Sequence, residues 1–368
     1  MSLNAATAKP HLPTLDGLRG VASLTVVLFH LCESYQNDPI HQLINHGYLA
    51  VDFFFMLSGF VVAYAYDGRW RVMTIGEFCK RRLIRLQPMV VVGSILGALL
   101  FYAQGSPQFS LVQGTPLSKM LLLLVLGAAM IPVTPSLDIR GWKESYPLNG
   151  PAWSLMFEYI ANLLYAVGLR RLSNKALFIF VLIAGGFLTQ LALTTPRHSL
   201  AGGWSIDSHE LYVGFVRVLF PFFAGVLLMR TGLRVRTSQP FLTCSVILVG
   251  ALSLPHLSNT LPWMNGLYEA MCVILLFPLI IVLGAGADLA ETGSIRVARF
   301  FGELSYPLYI THYPLIYVYA AWILRHHPSL QEALLAGAAV LALALLVASI
   351  SLRLFDVPVR RWLSEKWS

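Results

Sequence analysis

Apolar residues in this chain come in blocks rather than in alternation. Long runs such as Met89 to Leu100, Ala176 to Leu193, Val273 to Leu283 and Ala333 to Ile350 are separated by short polar segments. Runs of about 17–25 apolar residues span a hydrocarbon core as helices. The period-two pattern of a membrane barrel is absent. The pattern predicts an all-α bundle with membrane helices at about 15–35, 47–67, 88–104, 150–169, 176–194, 211–230, 240–257, 265–286, 302–324 and 332–355. An eleventh apolar segment, 118–134, ends at Pro132 and Pro135.

Loop charges assign that segment. Basic clusters lie at Arg69–Arg71, Lys80–Arg85, Arg170–Lys175, Arg230–Arg236, Arg296–Arg299 and Arg360–Lys366. The stretches 36–46, 135–149, 195–210 and 258–264 are poor in Lys and Arg or nearly balanced. With ten crossings every basic cluster falls on one side, which the positive-inside rule makes cytoplasmic, together with both termini. Arg197 and Arg325 are then the outward-facing exceptions. An eleventh crossing would invert every later cluster. The segment 118–134 is therefore expected to dip into the membrane and return, or to lie buried within the bundle.

Composition agrees with a single integral membrane domain over 1–368. The chain is 57% hydrophobic and 12% charged, about half the charged fraction of a soluble domain. No polar stretch is long enough to bury a core of its own, and no cleavable signal peptide is visible. The net charge of +8 is placed between apolar runs, so it reads as topology rather than nucleic-acid binding. Cys32, Cys79, Cys244 and Cys272 form no short-spaced motif, and the loop histidines, His41 and His46 among them, show no zinc-like spacing. No metal is expected. The absence of an internal repeat weakens an inverted-repeat transporter.

Ionisable residues inside membrane helices are costly and mark cavities or sites. Arg19 and His30 are eleven residues apart, which returns them to one helical face about 16 Å along the axis. Asp52 sits about one and a half turns into the second helix, at a similar depth to His30. A carboxylate there would orient the imidazole; capping, or a pair with Arg217, is the structural alternative. Glu158 follows Trp153 in a polar stripe with Ser154 and Asn162. Arg217 and Glu269 lie in the outer halves of their helices, where an ion pair between them is the bland alternative. Ser305, Tyr309 and His312 share a face at i, i+4 and i+7. Arg81, Arg82 and Arg85 precede Pro88 and suit the phosphates of a nucleotide-like donor.

These residues also form a pattern. Leu15-Asp16-Gly17-Leu18-Arg19-Gly20 with His30, the stretch Gly47 to Phe60, RRLIRLQP at Arg81 to Pro88, AWSLMFE at Ala152 to Glu158 and GELSYPLYITH at Gly302 to His312 occur in order. The chain thereby resembles the acyltransferase 3 family of bacterial membrane O-acyltransferases. FDVP at Phe355 to Pro358 is a weaker match, with Asp where the family more often has Glu. The resemblance implies ten helices, a cytoplasmic acyl-CoA donor (commonly acetyl-CoA) and an acceptor reached from outside, which places the protein in the bacterial inner membrane. The family's functional residues carry over to Arg19, His30, Arg82, Arg85, Trp153 and Glu158. No esterase-like domain follows the last helix, so no hand-over to a fused soluble partner is expected.

The expected chemistry follows. His30 takes the acceptor proton, oriented by Asp52 or Glu158, while Arg82 and Arg85 hold CoA phosphates. Arg19 grips a phosphate or the thioester oxygen, and Trp153, Arg217, Glu269, Ser305, Tyr309 and His312 line the substrate path. A covalent acyl-histidine route stays open. Expected partners are a glycan or glycan-like hydroxyl acceptor and membrane lipids, with homo-oligomerisation left open. The rival reading is a transporter or flippase of a glycan or lipid-linked substrate, which needs no CoA.

Overall fold

The computed structural model describes residues 11–36, 42–257, 260–287 and 293–367; His41 lies outside them. Every regular element among them is helical. Seven helical segments are long and apolar enough to cross a membrane, and leucine, isoleucine and phenylalanine side chains stand exposed along many of them. So much exposed apolar surface on a folded chain belongs in a bilayer, and the protein is an integral membrane protein.

In chain order the helices are α1 (Pro13–Tyr35), α2 (Ala50–Tyr66), α3 (Ile75–Leu100), α4 (Ser110–Gly114), α5 (Leu117–Ala128), α6 (Ala152–Val167), α7 (Asn174–Thr194) and α8 (Ser208–Thr231). Then come α9 (Pro240–Ser253), α10 (Trp263–Met271), α11 (Phe277–Ala285), α12 (Gly293–His326), α13 (Leu330–Ser351) and α14 (Val357–Trp367). Single π turns, Cys272–Leu276 and Leu352–Asp356, join α10 to α11 and α13 to α14. The helices start where the side chains can satisfy free N–H groups. Thr74 with Glu77 and Ser329 with Glu332 close capping boxes on α3 and α13, and Asp207 caps α8. Gly232, at φ 68°, ends α8 in the left-handed conformation.

Every helix expected from the sequence is present, but two begin earlier. α3 starts at Ile75 rather than near residue 88 and carries the basic segment within it. Pro88 lies inside it without ending it, and the Tyr306 hydroxyl donates to the nearby Leu86 carbonyl at 2.5 Å. α12 begins at Gly293, about two turns before the expected start. α6 and α9, at 16 and 14 residues, are only about 24 and 21 Å long.

The bundle has a basic end and a distal end. At the basic end Arg230 bonds Asp67 (2.7 Å) and the carbonyls of Leu172 and Arg170. There Arg170 also stacks over Trp70, and Lys80 meets the Trp367 carbonyl. At the distal end His46 bonds the Leu252 carbonyl, Tyr48 meets Ser199 and Arg325 meets the Ala103 carbonyl.

The segment 118–134 folds back on itself. α5 starts beside Tyr102, whose hydroxyl donates to the Thr115 carbonyl. It runs back along α3 until the Ala128 carbonyl meets Gln87 at 2.5 Å. The chain then turns, and the Asp138 carbonyl is again beside Lys119 at 3.0 Å. At 12 residues α5 spans about 18 Å, short of the ~30 Å hydrocarbon core. It is not buried within the bundle: Leu121, Leu122 and Val125 are exposed on its outer face.

Two glycine-based crossings hold the centre. A Cβ on Gly17 or Gly20 of α1 would collide with Ala298 or the Phe301 carbonyl of α12. A Cβ on Gly59 of α2 or Gly225 of α8 would collide with the Phe222 or Met56 carbonyl of the other helix. Small residues let membrane helices pack backbone to backbone, and of these four helices α1, α2 and α12 line one cavity.

Candidate active site

That cavity, about 430 Å³, opens at the basic end. His11 and Arg69 are exposed at its mouth. Deeper walls are Arg19 and Ser23 of α1, Phe54 and Ser58 of α2, Arg82 and Arg85 of α3, Ser154 and Glu158 of α6, and Ser305 and Tyr309 of α12. Five basic side chains thus face two carboxylates. Asp16 accepts from Arg19 (3.1 Å) and pairs with His11 (2.9 Å). That bond holds the His11 imidazole above its ordinary pKa, so positive charge at the mouth persists to higher pH. Glu158 accepts from Arg82 Nη2 (2.7 Å) and from the Ser58 hydroxyl (2.6 Å).

Two guanidinium groups are left. Arg85 lies over the Tyr306 ring at 5.9 Å, and neither its guanidinium nor that of Arg69 makes a hydrogen bond or ion pair with a described residue. Behind Arg85, the π turn before α14 buries Asp356 completely, where it pairs with Arg360 at 2.7 Å. Arg81 is exposed on the neighbouring turn and does not line the cavity.

The inner end of the cavity is closed by Phe54, Tyr309 and Ser154. The two hydroxyls of Tyr309 and Ser154 are 2.8 Å apart, and the Phe54 and Tyr309 rings meet edge to face at 5.2 Å. Immediately beyond lie two imidazoles. His312 is 6.0 Å from Tyr309 by ring centres, and His30 stacks on His312 at 5.7 Å and 24°. His312 is fully buried; its Nδ1 donates to the Tyr309 carbonyl (2.8 Å), and its Nε2 has no partner.

The expected His30–Asp52 dyad is not formed. Both Asp52 oxygens are taken by the fork of Arg217, Nε at 3.2 Å and Nη2 at 2.6 Å, and the carboxylate is wholly buried. Glu158 is likewise spent on Arg82 and Ser58. The carboxylate on His30 is Glu33, with Oε2 at 2.9 Å from Nδ1. The i, i+3 spacing of His30 and Glu33 on α1 was the available signal, since it brings the two onto one face.

The remaining expected path residues are off the cavity. Arg217 also donates to the Gly202 and Tyr48 carbonyls, and its guanidinium lies 5.3 Å from the Trp153 ring. The alternative Arg217–Glu269 pair is not formed either. Glu269 accepts instead from Tyr48 (2.5 Å), the Leu200 amide (2.6 Å), Asn265 (2.8 Å) and Ser199 (3.2 Å).

Against known proteins, residues 12–353 match the family described as an acyltransferase domain. The chain belongs to the acyltransferase 3 family. It is 22% identical to the peptidoglycan O-acetyltransferase OatA of Listeria monocytogenes, over 96% of this chain and 56% of that protein. It is 25% identical to the O-acetyltransferase OatA of Staphylococcus aureus, over 95% of this chain and 57% of that protein. The chain thus spans just over half the length of these two relatives. A further relative, "Protein 2 in picA locus" of Rhizobium radiobacter, is 38% identical over 41% of this chain and 79% of its own length. No solved structure matches. The family member described here therefore has a basic-mouthed cavity that ends one ring short of a histidine pair.

Proposed function

We propose that this protein is a membrane O-acyltransferase that moves an acyl group, in the first instance acetyl, from cytoplasmic acyl-CoA to a hydroxyl of a glycan reached from the other side. In this reading the ten helical passes from end to end are membrane crossings, and the basic end with both termini is cytoplasmic. The names of the two OatA relatives support the acetyl group, and that of the Listeria relative, a peptidoglycan O-acetyltransferase, supports the glycan.

The observation that carries the reading is the cavity's charge inventory. Both carboxylates of the wall are engaged by Arg19, His11 and Arg82, so Arg85 and Arg69 face the cavity with no carboxylate bonded to them among the described residues. A donor with several phosphates supplies them, and guanidinium forks bind phosphate in two-point fashion. A thioester threaded past Arg85 and Arg19 then meets Tyr309, and His30 lies two rings further on. His30 takes the acceptor's hydroxyl proton as that oxygen bonds the thioester carbon. The carbon–sulfur bond breaks, and the proton passes to the departing thiolate. Arg19 stands at the cavity wall to hold a donor phosphate or the carbonyl oxygen.

The test is purified protein in liposomes given labelled acetyl-CoA on the basic-end side and a glycan acceptor on the other. Labelled O-acetyl ester on the glycan, with one CoA released per ester, is the expected result. Passage of unmodified glycan without CoA consumption overturns the reading in favour of a flippase. Label trapped on the protein when acceptor is withheld selects the acyl-histidine route.

A further inference from the structure

Two imidazoles sit side by side, and only one has a carboxylate. We infer that Glu33 is the positioning residue that makes His30, rather than His312, the base of this site.

His30 and His312 stack at 5.7 Å, so both cannot carry a proton charge together without strong repulsion. Their Nδ1 atoms have different partners. That of His312 donates to main-chain carbonyls, Tyr309 at 2.8 Å and Leu308 at 3.2 Å, inside a wholly buried setting. That of His30 faces Glu33 Oε2 at 2.9 Å. An ionised carboxylate only accepts, so the hydrogen sits on His30 Nδ1 and leaves Nε2 as the free lone pair. When Nε2 takes a proton, the positive ring already touches a negative partner, and none is available to His312. The rest of the surround is aromatic: Phe29 at 4.9 Å and Tyr313 at 4.7 Å pack the His30 ring and hold its plane. Asp52 cannot serve, since Arg217 holds both of its oxygens. Glu33 is the more exposed partner, 41% against 17% for His30, so the pair lies where solvent can reach the carboxylate but hardly the ring.

The inference rests on acyl transfer only for its kinetic arm. Nitrogen NMR of histidine-labelled protein in lipid reads the tautomer directly, with His30→Gln identifying the His30 signal. The wild type should show His30 with hydrogen on Nδ1 and a bare Nε2. Glu33→Gln should lose that signature and Glu33→Asp recover it. In turnover, Glu33→Gln should lower kcat by about tenfold or more, inside the about 10²–10⁴-fold that base catalysis supplies, with the KM for acetyl-CoA unchanged. Glu33→Asp should restore part of kcat. An unaltered His30 tautomer in Glu33→Gln, or kcat equal to wild type, overturns the inference. If the wild type transfers no acyl group, the functional proposal falls while the tautomer still decides the role of Glu33.

Discussion

Arg217 and Arg85 are both intramembrane arginines, and they have opposite situations. Arg217 is 1% exposed and makes four hydrogen bonds, two of them to Asp52. Arg140 in the distal loop is similar, bonded to Glu144 and Gln104 and stacked 3.5 Å over Tyr317. Arg85 faces a cavity and bonds nothing described. The distal layer of the bundle uses its charges on itself, whereas the basic chamber leaves charge over. Depth therefore does not separate these arginines; what separates them is whether a carboxylate is bonded to the guanidinium. A buried charge whose partners saturate it holds helices together, and one without partners is available to a ligand.

The largest effect should come from the imidazole between the two regions. His30→Ala should lower acyl transfer by about 10²–10⁴-fold while the protein still inserts and folds. Turnover with labelled acetyl-CoA checks it; near-normal turnover would place the chemistry elsewhere. Next is a test of the saturated region. Arg217→Ala leaves Asp52 buried without a counter-charge and should cost about 3–5 kcal/mol of stability, read as early thermal unfolding in detergent. Removing both members, Arg217→Met with Asp52→Leu, should cost less than the single change, because no charge is then stranded. A double variant worse than the single one breaks the comparison.

The unsaturated region should respond in the other currency. Arg85→Ala should weaken acetyl-CoA binding by about tenfold to a hundredfold, the worth of one charge-assisted hydrogen bond, and leave thermal stability near wild type. Direct titration of donor binding decides it. A stability loss as large as that of Arg217→Ala would mean that Arg85 is structural too.

Much of this was legible in the sequence. Block hydropathy placed every long helix, and of the two courses that loop charges left open for 118–134, a return or burial in the bundle, α5 and the turn after it fold back with an exposed outer face. The motif stretches singled out Arg19, Arg82, Arg85, Glu158, Ser305 and Tyr309, and all six line the cavity. What was not legible was pairing. Asp52 matched His30 in depth, but depth along an axis says nothing of which neighbour the rotation presents. α8 brings Arg217 to Asp52, and a two-point guanidinium contact outcompetes a single imidazole bond. The start of α3 was hidden because polar Arg and Lys interrupt its hydropathy without interrupting its helix. Glu33 reaches His30 from one turn along the same helix, a pairing that depth-matching between helices does not reveal.

The smallest effect belongs to the loop that returns from α5, and it tests whether the distal end draws stability from saturated charge even outside the helices. Asp138 accepts from the backbone N–H groups of Arg140 (2.9 Å), Gly141 (3.0 Å) and Lys143 (3.0 Å), in a turn where Gly141 and Lys143 have φ of 99° and 55°. Burial pushes its carboxyl pKa up, but those N–H groups outweigh it and hold the group below the usual carboxylate range. A lowered folded-state value contributes stability that is present above the ordinary carboxylate pKa and fades as pH falls through the folded one. Because the group is partly exposed, the term should be under about 1 kcal/mol. Asp138→Asn retains one accepting oxygen and loses the charge. It should unfold slightly earlier at neutral pH and converge with wild type in acid. A constant gap between the two at every pH would show that the turn is held by shape and not by charge.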